Sequence, residues 1–393
     1  MLYKNTTPKS KVACTICNSY DPQEISSAIK EVMLMIDASN AIAIDGPLLI
    51  KPNLCLLEVP EKAITTHPEI VKQVALWSSN YTSNIIVGDS PVGDADRTRI
   101  NNIWDCSGLS TAMINVLHSR TFFETELVEF NCDVNGQKCT YFMAKEISDI
   151  KTIINVPKFK THSLMTYTGA IKNLYGLLPG NTKKILHSQF PKRRDFASLL
   201  VSLYLHVKPA INIVDAVVCL EGDGPGSAGQ PRKLSLIMAS EDAFALDAVA
   251  AKIMNISTLS IPTNAVALAR GLLDESKIEL LGESIDYFIK KDFKVPCTTK
   301  YHSALTKKLF EISRPIINID PAKCTCCDLC VINCPVKCID LSKNIAAVNK
   351  KDCISCMMCH EICPNSAVQI SEPVFYKKLK ERSNQVDSEK STK

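Results

Sequence analysis

The sequence predicts an α/β protein in two parts: a large doubly wound, mostly parallel-sheet domain followed by a small α+β domain. Three observations predict it. From the N-terminus to about Lys294, β-branched apolar runs alternate with stretches of helical period, the pattern of a largely buried sheet covered by helices. Asp292–Pro315 then lacks a sustained period and carries Pro296 and Pro315, which marks a junction. Beyond it the cysteine density rises abruptly.

The elements follow in order. Val12–Ile16 and Pro47–Lys51 are short apolar runs read as strands, and His67–Ser78 has helical spacing. Asn84–Gly88 is a strand, Ile100–Leu117 a helix, and Leu127–Phe130 and Thr152–Val156 are further strands. Phe196–His206 is helical, Ile211–Val214 and Lys233–Met238 are strands, and Ala243–Ile253 and Thr263–Leu273 are helices, the last with Thr263 placed to cap it. The resulting division is an α/β domain over 1–294, a linker over 295–315, the small domain over 316–372 and a charged tail over 373–393. The tail is Lys/Glu/Ser-rich with little to bury and is expected to be disordered.

At 393 residues and 46% hydrophobic, the chain can bury a substantial core. Its 45 basic and 41 acidic residues leave a formal charge of +4, too balanced for a nucleic-acid-binding surface or a membrane-surface anchor. Neither partner is expected. No apolar run is long enough to span a bilayer, and Met1–Lys11 lacks an apolar signal core, so a cytoplasmic location is expected. In that compartment 18 cysteines favour metal ligation over disulfides.

Spacing makes the ligation specific. Cys324, Cys327, Cys330 and Cys334 precede Pro335 as C-x₂-C-x₂-C-x₃-C-P, and Cys353, Cys356, Cys359 and Cys363 precede Pro364 in the same pattern. Each cysteine of the first run has its counterpart in the second at one fixed offset, so two half-modules related by a pseudo-twofold are expected. The pattern is that of a bacterial-type two-cluster ferredoxin module with two [4Fe–4S] clusters, in which three thiolates of a run hold one cubane and the fourth reaches the other. One cluster then takes Cys324, Cys327, Cys330 and Cys363, and the other takes Cys353, Cys356, Cys359 and Cys334. Zinc needs only four ligands and does not account for the doubled run. Cys326 and Cys338 fall off the ligand pattern and read as packing thiols.

In the large domain, polar segments follow predicted strands at Lys51-Pro52-Asn53-Leu54, Gly88-Asp89-Ser90-Pro91, Val156–His162 and Glu221–Gly226. Ligands bind open α/β sheets at the carboxyl ends of strands, so these loops are candidates for one cleft, although Gly, Pro and Asp are also ordinary turn formers. His162 and His187 can ligate a metal or move a proton, and Lys158, Lys160 and Lys172 can hold an anion. Asp215, Asp223 and Asp242 can supply oxygen ligands or serve turns and caps. Cys14 and Cys17 form a C-x₂-C without a second pair and read as packing; Cys55, Cys106, Cys132, Cys139, Cys219 and Cys297 read as ordinary thiols. Gly222-Asp223-Gly224-Pro225-Gly226 lacks the ending of a phosphate-binding loop and reads as a mobile loop at the cleft rim.

The stretch Asn155–His162, its continuation through Thr168–Gly176 to Pro179-Gly180 and His187, Thr65–Pro68, and Ala239–Ala243 with Asp247 together resemble the domain-of-unknown-function family 362. The resemblance covers roughly Val12 to Ile256, and a fused ferredoxin module is typical of that family, whose members are described as iron–sulfur proteins without a settled reaction. A more distant likeness is to the substrate domain of nickel-pincer lactate racemases. His162, Lys172, Pro179-Gly180 and His187 follow that motif's order, which implies candidate catalytic roles for His162, Lys172 and His187. The sequence departs at Ala170-Ile171 and at Thr65-Thr66-His67-Pro68, so the likeness implies a shared fold and cleft position rather than a shared cofactor.

The leading functional reading is an oxidoreductase passing electrons between the two clusters and a substrate or cofactor in the α/β domain. The alternatives are an electron carrier whose large domain docks a redox partner protein, and a racemase-like isomerase or lyase with auxiliary clusters.

Overall fold

The computed structural model describes residues 9–42, 46–93, 97–114, 116, 126–300, 314–342 and 345–371. Most of the expected linker and the charged tail lie outside them. The strands are β1 (Ser10–Ile16), β2 (Leu48–Lys51), β3 (Ile85–Val87), β4 (Leu127–Val134), β5 (Gln137–Ala144), β6 (Thr152–Asn155), β7 (Lys158–His162), β8 (Thr166–Tyr167), β9 (Ile211–Gly222), β10 (Gly229–Ser240) and β11 (Ile278–Gly282). The central sheet runs β11-β1-β10-β9-β6-β2-β3, with β7 and β8 branching from β9. β1–β11, β9–β6, β6–β2, β2–β3 and β7–β9 pair parallel, while β10 is antiparallel to β1 and β9.

Both faces of this sheet are covered because its strands alternate inward residues between two cores. Val12, Cys14, Leu49, Val214, Leu236 and Met238 join one cluster, which includes the helices Arg193–Val207 and Ala243–Ile253. Ala13, Leu48, Ile50, Ile213, Ile237 and Ala239 join the other, with the helices Pro22–Met35, Pro68–Ser78 and Arg97–Cys106. This is the doubly wound arrangement expected from the uninterrupted apolar strands.

Several local details differ from expectation. The predicted helix Ile100–Leu117 stops at Cys106 and resumes as one turn, Leu109–Ala112, because Gly108 takes φ 75° between them. Helix Pro262–Ala269 begins at a proline behind Ile261, so Thr263 lies inside the first turn and does not cap it. β4 and β5 form a separate hairpin around Asn135 (φ 54°) and Gly136 (φ 84°).

The cysteine-rich segment contains β12 (Ile316–Ile319), the helical turn Leu329–Ile332, β13 (Ile339–Ser342), β14 (Ile345–Val348), the helical turn Met358–Ile362 and β15 (Val368–Ser371). β12 pairs with β15 and β13 with β14, both antiparallel, so each ribbon takes one strand from each half. The backbone keeps the cysteine offset. Left-handed residues occur at Cys326 and Ser355, Asp328 and Met357, and Lys337 and Ser366, each pair separated by the distance from Cys324 to Cys353.

Candidate functional site

The cleft lies where β2, β3 and β6 end and β7 begins. Each strand delivers one polar group that is then fixed by its neighbour. Lys51 Nζ, fully buried, is 2.8 Å from Asp89 Oδ1, and Asp89 Oδ2 accepts from the Leu54 amide at 2.7 Å. Asn53 Nδ2 donates to Asn173 Oδ1 (2.7 Å), Asn173 Nδ2 to Asn155 Oδ1 (2.8 Å), and Asn155 Nδ2 to Asn212 Oδ1 (2.9 Å). This amide chain ties the strand ends to the helical turn Gly169–Asn173. Lys160 Nζ donates to Asn53 Oδ1 (2.8 Å), the Ile64 carbonyl (2.8 Å) and Cys55 Sγ (3.0 Å).

Lys160, Lys172, Lys183, His187, Asp89 and Glu361 supply the ionisable lining of one cleft with an empty volume of about 600 Å³, including its open mouth. Lys183, on helix Thr182–Gln189, donates to the Ser90 and Pro91 carbonyls. His187, on the same helix, stacks on Phe196 at 4.3 Å and meets Tyr175 edge-on at 5.6 Å. Lys172 Nζ lies 5.9 Å from the centroid of the Tyr175 ring. His162 stands behind this lining, fully buried, with Nε2 2.8 Å from Glu361 Oε1. The approach is close but off-line, since neither atom meets hydrogen-bond geometry.

The electrostatics follow from burial. His162 Nδ1 accepts the Leu164 and Met165 amides at 3.1 and 3.2 Å, so the neutral ring carries its proton on Nε2. Burial, reinforced by Lys172, holds His162 down at about 4, and burial holds His187 down at about 3. Both imidazoles are therefore neutral near pH 7. Burial alone would raise Glu361, yet the surrounding cationic groups hold it well below the usual carboxylate range. The largest of these influences is His162, followed by Lys172. Burial lowers Lys172 and Lys51, and brings Lys183 to about 7.

Sequence reasoning grouped Lys158 with these lysines, but it occupies a different place. Its Nζ is 2.9 Å from Asp215 Oδ2 and 2.8 Å from the Tyr20 hydroxyl, and Tyr20 stacks on His67 at 3.5 Å. Asp215 is consumed in this group, accepting also from the His67 amide. Asp242 caps Ala243–Ile253, and Asp223 Oδ1 accepts the Cys297 amide. Cys14 and Cys17 are buried in the two different cores. The Gly222–Gly226 loop does reach the cleft, where Pro225 is part of the lining, and it is packed there: the Gly224 carbonyl accepts the Ser163 amide, and the Asp223 carbonyl is 2.8 Å from His360 Nε2. Cys55, Thr168, Lys183 and Glu361 were not singled out as site residues. Only the position of Cys55 and Lys183 near the polar segments hinted at them.

Glu361 lies between Cys359 and Cys363, so the cysteine-rich segment forms part of the cleft wall. In that segment a second cavity, about 380 Å³, is lined by Cys324, Cys327, Cys330 and Cys363 together. Cys359 is in electrostatic reach of Cys356, Cys353, Cys334 and Cys330. The Cys338 and Ala367 amides donate to Cys334 Sγ (3.3 Å) and Cys363 Sγ (3.2 Å) at equivalent places in the repeat. Among the described residues no group of three or more His, Cys, Asp or Glu side chains is arranged to hold a metal ion. Among them, too, no helix is long and apolar enough to cross a membrane.

The chain belongs to the family described as "Domain of unknown function (DUF362)", whose match covers residues 48–252. It is 30% identical to the "Thylakoid-associated protein sll1697" of Synechocystis sp. over 257 residues, 65% of this chain and 77% of that one. Among solved structures it is similar to the lactate racemase apoprotein of Thermoanaerobacterium thermosaccharolyticum, with a TM-score of 0.37 and 8% identity over 62% of this chain. The chain spans 56% of that structure's length.

Proposed function

We propose that this protein is an iron–sulfur electron-transfer protein, an oxidoreductase that passes single electrons between two [4Fe–4S] clusters and a substrate or cofactor in the α/β cleft. The observation that carries the reading is the position of Glu361, which sits between two cysteines of the second run and also lines the cleft beside Lys172. An electron leaving the second cluster would have the cleft as its neighbour.

The thiols suit cubanes. The cavity shared by Cys324, Cys327, Cys330 and Cys363 joins residues from both runs, and backbone amides already point at two of the sulfurs, the contact that tunes such centres. A cubane spreads four thiolates over four corners, which differs from the tight convergence a single ion needs. In this reading Cys353, Cys356, Cys359 and Cys334 hold the second cluster. When bound, the clusters supply one-electron transfer. The residues lining the cleft would position the reactant, Lys172 providing charge and His187 a neutral ring, while His162 behind them keeps its proton on Nε2 toward Glu361.

Residues 1–294 would form the substrate domain and 316–372 the ferredoxin-type domain. In this reading the first cluster, whose Cys327 is exposed, would exchange electrons with a redox partner protein in the cytoplasm. Anaerobic reconstitution is expected to yield about eight iron and eight sulfide per chain. Dithionite-reduced protein should then be reoxidised by a substrate whose binding requires Lys172. A reproducible content of roughly four iron, or reoxidation insensitive to Lys172→Met, would count against the proposal.

A further inference from the structure

The charges around the cleft do not balance within the protein. Lys160, Lys172 and Lys183 line it with Glu361, while Asp89, the other carboxylate of the lining, is already paired with Lys51 behind it. Three of these lysines have their donors engaged: Lys51 by Asp89 and the Pro52 carbonyl, Lys160 by Asn53, Ile64 and Cys55, and Lys183 by two carbonyls. Lys172 has no hydrogen bond to any described residue, only the Tyr175 ring. A second donor beside it is also unused. Thr168 is 4% exposed, lines the same cleft, and its Oγ1 has no partner. Thr168 and Lys172 are one helical turn apart, so both side chains lie on one face of the turn.

Burying an unpaired hydroxyl such as that of Thr168 is costly unless a ligand satisfies it, and the half-buried Lys172 beside it carries donors with no acceptor among the described residues. The depression of Lys183 to about 7, caused first by burial and opposed by Asp89 but deepened by Lys51 and Lys172, is a consequence of the same imbalance. Glu361 Oε1 is an unused acceptor on this wall, but it faces His162 Nε2 2.8 Å away; the other two unused groups, Lys172 Nζ and Thr168 Oγ1, can both donate, which suits an acceptor rather than another cation.

We propose that the cleft binds the anionic head of a small molecule, a carboxylate or a phosphate, gripped by Lys172 Nζ and Thr168 Oγ1. The inference rests on the reading that the cleft is the substrate site and names the substrate class. Hydrocarbons and cationic amines would leave the same donors unpaired, and neutral sugars could accept from them but would not offset the charge of Lys172, so an anion is favoured over all three.

The test uses the full-length, cluster-loaded protein in a low-salt, non-coordinating buffer, titrated calorimetrically with oxalate and with inorganic phosphate. At least one should saturate a single site. Lys172→Met should weaken it about tenfold or more, Thr168→Val by a smaller factor, and Lys172→Arg the least. Cluster absorbance reports the fold of each variant, and if Lys172→Met loses it, Thr168→Val decides, because valine keeps the shape. Saturation by oxalate alone assigns the head as a carboxylate, and saturation by phosphate alone as a phosphate. Absence of saturation by both probes, or affinities unchanged in the well-folded variants, overturns the proposal. Because no electron transfer is measured, an unreactive protein that still binds the anion would sink the redox reading and leave this one standing.

Discussion

Glu361 Oε1 lies 2.8 Å from Nε2 of His162, which joins the cysteine-rich segment to the strand leading into the cleft. Neither atom has a hydrogen-bond partner of its own among the described residues, and Lys172 and His187 also act electrostatically on Glu361. The contact is therefore the point where the sequence's two most chemical regions, separated by nearly the whole of the second half of the large domain, become one site.

That contact predicts the effect of Glu361→Gln. Glutamine keeps the shape but removes the charge that offsets Lys172, and losing one partner of a buried ionic group costs on the order of 3 kcal/mol. Urea unfolding followed by the fluorescence of Trp77 and Trp104 should show a loss of that size. Iron content should hold, since Cys359 and Cys363 are untouched. An unchanged urea midpoint would mean that Glu361 carries no net electrostatic weight.

Cys363 shares a cavity with Cys324, Cys327 and Cys330 rather than with the rest of its own run. If the chain holds the two proposed clusters, Cys363→Ala should damage the one held by the first run, and Cys334→Ala the one held by the second. Electron paramagnetic resonance of the reduced variants distinguishes the two centres. If each variant loses only the centre of its own run, the crossover is wrong.

Asp247 gives a pH dependence whose sign can be worked out. Its Oδ1 accepts the Ala170 amide at 2.8 Å and its Oδ2 the Ile171 amide at 3.3 Å, yet burial pushes its carboxyl from 3.8 up to about 7. The folded state thus binds this proton more tightly than the unfolded state, so the group's contribution is fully present below 3.8 and is lost as pH rises through about 7. Asp247→Asn does not titrate. The wild-type melting temperature minus that of Asp247→Asn should fall as pH is raised across this window. A flat difference would show that the carboxylate is ionised in the fold throughout.

Much of this was legible in the sequence because the signals are local. Cysteine spacing is read directly, and the long apolar runs can only be strands buried on both faces. The Asn135-Gly136 hairpin was legible too, but its strands expose one face to solvent and alternate polar residues, so only Leu127–Phe130 stood out. What was not legible is pairing across the chain. Lys158 and Lys160 are two residues apart on β7 and look equivalent, yet Lys158 turns to Asp215 and Lys160 to Asn53. Thr168 and Glu361 have no distinguishing local pattern, and only folding places them beside Lys172.

Gly226 offers the most direct test of whether the cysteine-rich segment and the cleft work as a unit. A Cβ at this position would stand 2.4 Å from the Glu361 carbonyl oxygen and 3.4 Å from Leu56 Cδ1. The obstructing atom is backbone, so no side-chain rotation can relieve Gly226→Ala, and either the loop or the segment must move. The neighbouring contacts, Ser227 Oγ donating to the Cys363 carbonyl at 2.6 Å and His360 Nε2 at 2.8 Å from the Asp223 carbonyl, would be strained by the same displacement. No cysteine of either run is altered, so iron and sulfide content should match the wild type. Hydrogen exchange over Met358–Ile362 should accelerate, and electron transfer from the reduced protein to a cleft-bound acceptor should slow. Ser227→Ala is the milder control, removing two hydrogen bonds, one to the Cys363 carbonyl and one from Ser366 Oγ, each worth about 1 kcal/mol, without a clash. Wild-type exchange over Met358–Ile362 in Gly226→Ala would show that the loop alone yields, and electron transfer slowed without faster exchange would place the effect of the methyl group elsewhere in the cleft.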